Sequence, residues 1–148
     1  MLRRVERDLN VRITLDGASH AGLRLTDYQG RPLRYCSRYH DGTNSYLNFL
    51  NLEFNKLKND IIWLFCPKNQ EARFLRYYLT WKCRPALIFM LLQHNESDNL
   101  YPLLMREKIQ HIRYANDGFL TKAVKNRKAR VPHPFSGLIH IFHLPSMS

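Results

Sequence analysis

Residues 11–15 read Val-Arg-Ile-Thr-Leu, apolar and polar positions in strict alternation, and a period of two predicts a strand with one buried face. Asp16-Gly17-Ala18-Ser19-His20 follows as a run of turn formers. Residues 22–26 and 33–37 alternate again on either side of Asp27-Tyr28-Gln29-Gly30, a turn in which Gly30 is free to take positive φ. The three segments predict an antiparallel meander. Its buried face would carry Val11, Ile13, Leu15, Leu23, Leu25, Leu33 and Tyr35.

The period then lengthens. Tyr46, Leu47, Leu50, Phe54 and Leu57 recur at helical spacing, with Asp41 or Thr43 as cap and Lys56 and Lys58 in the last turn. Residues 60–66 are apolar without alternation, which predicts a strand buried on both faces. Pro67-Lys68-Asn69 breaks that run, and Asn69 is placed to cap a helix over 70–82 with Ala72, Leu75, Tyr78, Leu79 and Lys82 along one side. Pro85 stops the helix and 86–92 forms another buried strand, so the pattern implies a right-handed parallel crossover. After a polar loop at 95–99, Pro102 suits the first turn of a third helix carrying Leu104, Met105, Ile109 and Ile112. From Asn116 the chain reads as an irregular basic tail, with one last short strand over 137–144. The fold class expected is α/β: a mixed sheet that opens with the antiparallel three-strand meander, continues helix–strand–helix–strand, and ends in a basic C-terminal extension. With no repeat or linker in view, residues 1–95 form the body and 96–148 a helical insertion and basic extension of the same domain.

Charge sharpens this picture. The 148 residues hold 23 Lys and Arg against 12 Asp and Glu, a formal charge of +11. Such a field attracts polyanions, above all nucleic acid, with an affinity that falls steeply with salt. Cys36, Cys66 and Cys83 are an odd number without a Cys-x-x-Cys pair, which predicts buried thiols in a reducing compartment rather than a disulfide framework. The longest apolar run, 86–92, is far short of the roughly 20 residues that span a bilayer. The N-terminus has no signal-peptide apolar region, and Glu6 and Asp8 make it a poor transit peptide.

The order of elements from 11 to 95 resembles the small-subunit ribosomal protein of family eleven, a platform component. Leu25-Thr26-Asp27-Tyr28-Gln29-Gly30, followed by Leu33 and Tyr35, is similar to that family's Thr-Asp-x-x-Gly hairpin. Residues 59–65, then Glu71-Ala72-Arg73-Phe74-Leu75, then 86–92, fall in step with its strand, Arg-bearing helix and strand. The likeness covers a little over half the chain. It departs where Cys66-Pro67-Lys68-Asn69-Gln70 replaces a glycine-rich loop and where the segment ahead of the first helix shortens to 40–45. Such drift suits an organellar ribosome, a mitochondrial one first, better than a bacterial or cytosolic one, with another organellar or a cytosolic ribosome as the alternative. The resemblance implies a non-catalytic, rRNA-binding partner of neighbouring small-subunit proteins, with no cofactor, no small-molecule substrate and no membrane. The large-subunit ribosomal protein of family eighteen is the second ribosomal alternative.

In that reading the contacts with RNA come from Arg31, Arg34 and Arg38 on or beside the hairpin, Lys68 and Arg73 around the start of the second helix, and the tail residues Lys122, Lys125, Arg127, Lys128 and Arg130. Tyr39 and Phe135 offer rings for stacking. A ribonuclease-H-like nuclease is the enzymatic alternative, and it would need Asp16, Asp60 and Glu71 to converge on two metal ions. In the expected fold these carboxylates lie at different ends of the sheet, as turn and cap residues. His133, His140 and His143 lack a cysteine pair or an evident fourth ligand, so no metal is expected. A protein-only assembly subunit, docking through the 100–112 helix and the last strand, is the remaining class.

Overall fold

The computed structural model describes residues 1–19, 25–39, 42, 44–66, 69–92, 100–105, 109–115, 121–123, 130–132 and 138–148; within these, the side chains of 101, 103, 105, 121–123 and 130–132 are left aside. Its centre is a seven-stranded sheet built from β1 (Leu15–Asp16), β2 (Arg34–Ser37), β3 (Tyr46–Leu47), β4 (Ile61–Leu64), β5 (Ala86–Leu92), β6 (Gln110–Ala115) and β9 (Leu138–Leu144). The order across it is β3-β2-β1-β4-β5-β9-β6. The first five run parallel, while β9 lies antiparallel between β5 and β6. β7 (Thr121–Ala123) and β8 (Arg130–Pro132) form a separate antiparallel ribbon.

Helix α2 (Glu71–Thr80) connects β4 to β5, and those strands pair in parallel register from Ile61↔Ala86 to Leu64↔Phe89. This unit is as the pattern requires, and 86–92 is a strand from end to end. Asn69 is not the cap, however. It takes φ 67, and Gln70 occupies the cap position without a side-chain hydrogen bond.

The sheet separates two cores. Leu87, Phe89 and Leu91 of β5, with Phe142 and Leu144 of β9, face α2, the segment 49–57 and α3 (Leu100–Met105). Ile88 and Met90, with Ile139 and Ile141, face the other way, onto Leu2, Val5 and Leu9 of α1 (Leu2–Leu9). Strands buried on both faces are what layers on either side of a parallel sheet demand.

The N-terminal meander is not antiparallel. β1 lies between β2 and β4, parallel to both, with Leu15 opposite Arg34 on one side and Ile62 on the other. Alternation at 11–15 is misleading because one of its two polar members, Thr14, is turned to hydrogen bonds within the protein, although Arg12 is exposed. The Thr14 hydroxyl donates to Asp60 at 2.7 Å and accepts from the Ile61 amide at 3.0 Å, and the Ile13 amide donates to Glu6 at 2.8 Å. Of the expected hairpin, the tip forms: Thr26 bridges Pro32, the Gly30 amide donates to the Asp27 carbonyl at 3.0 Å, and Gly30 takes φ 81. Residues 22–24 lie outside the described residues.

The expected helix after it is replaced by β3 and two 3-10 turns, Phe49–Asn51 and Phe54–Lys56. Asn48 adopts φ 60 and its side-chain oxygen accepts from the Leu50 amide at 3.0 Å, a local bond that competes with a helical turn. Phe49, Leu52, Phe54 and Leu57 are buried all the same. The third helix is described over Leu100–Met105, residues 106–108 lie outside the described residues, and Ile112 sits instead in β6, paired with Ile141. The last strand is no appendage, since β9 is interior and buries Ile139, Ile141, Phe142 and Leu144. The tail is in part a ribbon rather than irregular, through Lys122 in β7 and Arg130 in β8.

Candidate nucleic-acid interface

Four of the expected cationic residues have described side chains, and they fall at opposite ends of the sheet. Arg31 and Arg34 lie at the amino end of β2, and both are engaged: Arg31 Nε is 3.2 Å from Asp27, and Arg34 is ion-paired with Asp60. Beyond the carboxyl end of β2, the Arg38 guanidinium lies 5.2 Å over the ring of Tyr39, which is 69% exposed. Arg73 is exposed on the first turn of α2, past the carboxyl end of β4. Lys68, Lys125, Arg127 and Lys128 lie outside the described residues, as do His133 and Phe135, and for Lys122 and Arg130 the backbone alone is described. Among the positions with described side chains, Arg31 and Arg34 lie apart from Arg38 and Arg73.

A group that the sequence reading missed gathers at the amino end. Helix α1 ends at Asn10 in the left-handed region, φ 53, which turns the chain so that Arg12 lies beside the 27–30 turn. Asp27 shapes that turn. Its Oδ1 accepts from the amides of Gln29 and Arg31, both at 2.9 Å, and these bonds, the Arg31 amide foremost, hold its carboxyl below the usual range. The turn presents Tyr28, 51% exposed, and the Arg12 guanidinium rests 3.7 Å from the centre of its ring. Arg3 ties the two pieces together, bonding both Glu6 and the Thr26 carbonyl. Between α1 and the turn lies a cleft of about 380 Å³ lined by Arg3, Arg7, Arg12 and Tyr28 among others. The signal for it was present in the chain. Leu2, Val5 and Leu9 share one helical face, which leaves Arg3, Arg4 and Arg7 off it.

At the carboxyl end of β1, Asp16 is 4% exposed and accepts from the Ala18 amide at 3.2 Å. Burial pushes its carboxyl up to about 6, against the pull of that amide. Gly17 packs so tightly that an added Cβ would stand 3.0 Å from Ile62 and 3.1 Å from Phe49. Burial, with the Asp16 charge behind it, lifts the Cys36 thiol to about 12, and Cys66 is raised as well, so both are inert apolar fillers as expected.

The carboxylates of the nuclease alternative do not converge. Asp60, at the amino end of β4, serves Thr14 and Arg34, whereas Asp16 and Glu71 belong to the opposite end. His140 faces His111, with ring nitrogens 2.9 Å apart, while His143 lies on the other face of β9. Among the described residues no group of three metal-binding side chains occurs, and no helix is long and apolar enough to cross a membrane. No family model matches the chain, nor does any curated protein or solved structure at a significant level.

Proposed function

We propose that the chain is a non-catalytic RNA-binding protein in which a buried sheet holds cationic side chains at both of its ends. The observation that carries this is the excess of eleven positive charges together with an exposed arginine–tyrosine pair at each end, Arg12 with Tyr28 and Arg38 with Tyr39. Guanidinium groups contact phosphates and stack on bases, and exposed rings supply further stacking surface, a combination common to RNA-binding surfaces. The narrower form of the proposal is a structural component of a mitochondrial small ribosomal subunit, with rRNA and neighbouring subunit proteins as partners. The turn at Asp27–Gly30 and the parallel β4–α2–β5 unit support it. The parallel pairing of β1 with β2 departs from the meander of the family that the chain resembles.

The test is purification of the tagged chain from cells followed by sequencing of the RNA that accompanies it. Ribosomal RNA, with sedimentation in particles that ribonuclease abolishes, is the expected result. Recovery without RNA, or sedimentation indifferent to ribonuclease, favours a protein scaffold and contradicts the proposal.

One observation favours a second reading. The order β3-β2-β1-β4-β5 is that of doubly wound sheets, whose ligands sit beyond the carboxyl ends of the strands where the order reverses. Here that point falls between β1 and β4, beside Asp16 and Gly17, and the ligand class would be a small nucleotide. This rests on fold-level analogy. A nucleotide that raises the melting temperature of the wild type and not of Asp16→Asn supports it; equal shifts in both, or none, count against it.

A further inference from the structure

We infer that the cleft between α1 and the 27–30 turn is a subsite for one unpaired nucleotide, with the base stacked at Tyr28 and the phosphate held by Arg12 and Arg7. The inference rests on the RNA-binding proposal and goes beyond it by assigning a site and a strand state. Arg12 is exposed, and its described contact is the Tyr28 ring at 3.7 Å; it has no carboxylate partner among the described residues. A guanidinium lying on a ring still directs its N–H groups outward along its rim, where phosphate oxygens can accept them. Arg7 adds a second cation whose side chain is 76% exposed, with Asp8 3.7 Å away as a loose neighbour. Glu6, the acid lining the cleft, is already occupied by Arg3 and the Ile13 amide, so it offers an incoming phosphate little opposition. Tyr28 keeps about half of its surface open beside Arg12, and the turn that carries it is fixed by Asp27 and by the Arg3 bond to Thr26. A base in a duplex is already stacked on its neighbours, so a single ring with a guanidinium beside it selects a nucleotide that is splayed out.

The experiment measures binding of a single-stranded uridine decamer, a twelve-base-pair RNA duplex, uridine monophosphate and a hexaglutamate peptide to the full chain, at low salt. Tyr28→Ala is expected to weaken the decamer about ten-fold while leaving the duplex unchanged, and Tyr28→Phe to retain wild-type affinity. Arg12→Ala should weaken the decamer and lower its salt slope by about one. Displacement of the decamer by uridine monophosphate supports the site with a free nucleotide as ligand; failure to displace it, with the Tyr28→Ala loss intact, supports it with a nucleotide within a chain. Equal weakening of decamer and duplex, no effect of either alanine variant, or hexaglutamate binding as tight as the decamer would overturn the inference. Should the wild type bind neither RNA, the broader proposal fails with it; should it bind RNA and the variants not differ, the subsite alone fails.

Discussion

Asp16 is a carboxyl that burial moves well away from its ordinary behaviour. It sits at the end of β1, where the Ala18 amide is its hydrogen-bond donor among the described residues, and burial raises its carboxyl from 3.8 to about 6. In the folded protein it therefore keeps its proton at pH values where the unfolded chain has lost it. The folded state binds more protons between those limits, so stability is fullest below about pH 4 and declines as pH rises through 6. At roughly 1.4 kcal/mol per pK unit the decline amounts to about 3 kcal/mol at most. Asp16→Asn is expected to remove this slope and to melt higher than the wild type at pH 7, with little difference at pH 4; urea titrations at the two pH values measure it. Equal stabilities of the variant and the wild type at pH 7 would show that the carboxylate is solvated. One position on, Gly17→Ala puts a methyl 3.0 Å from Ile62 and 3.1 Å from Phe49, and a loss of about 1–3 kcal/mol in the same titration is expected.

At the scale of elements, legibility followed how completely one local signal decided the outcome. Residues 86–92 are apolar throughout and bounded by Pro85, and they form a strand in full. The 46–57 segment has helical spacing too, yet Asn48, Asn51 and Asn55 weaken the helix, and Asn48 closes its own turn onto Leu50. Burial survived the loss of the helix because 3-10 turns can still direct Phe49 and Phe54 inward. Phe54 contacts the rings of Phe49, Tyr77, Tyr78 and Trp81, with centroids 5.2 to 5.9 Å away. Phe54→Ala is expected to cost about 3–5 kcal/mol in a denaturant melt. A loss below 1 kcal/mol would mean that this aromatic cluster is not the packed core it forms here. Asn48→Ala should cost roughly 1–2 kcal/mol, since it removes the bond to Leu50 and leaves alanine at φ 60, whereas Asn48→Gly keeps the backbone geometry and costs less. The direction of the N-terminal strands was not legible from residues 11–37. Period two fixes which side chains share a face and says nothing of whether the neighbouring strand runs with or against it.

Across the whole molecule, charge was the most legible property and its distribution the least. An excess of eleven cations is countable in the chain; Arg31 is held by Asp27 of its own turn, but that Arg34 is held by Asp60 is a long-range outcome of the fold. Arg12 meets Tyr28 for the same reason, because the end of α1 and the 27–30 turn converge at the amino end of the strands. The proposed function requires this charge to act on a polyphosphate chain. Its most direct test is the affinity of the intact protein for structured RNA measured from 50 to 300 mM salt. Tight binding is expected at the low end with a log–log slope of several units, reduced by about one for each contacting cation that is removed, whether Arg12 or one of Lys125, Arg127, Lys128 and Arg130. A well-folded protein that ignores RNA at 50 mM salt, or binds it with a flat salt dependence, would contradict it.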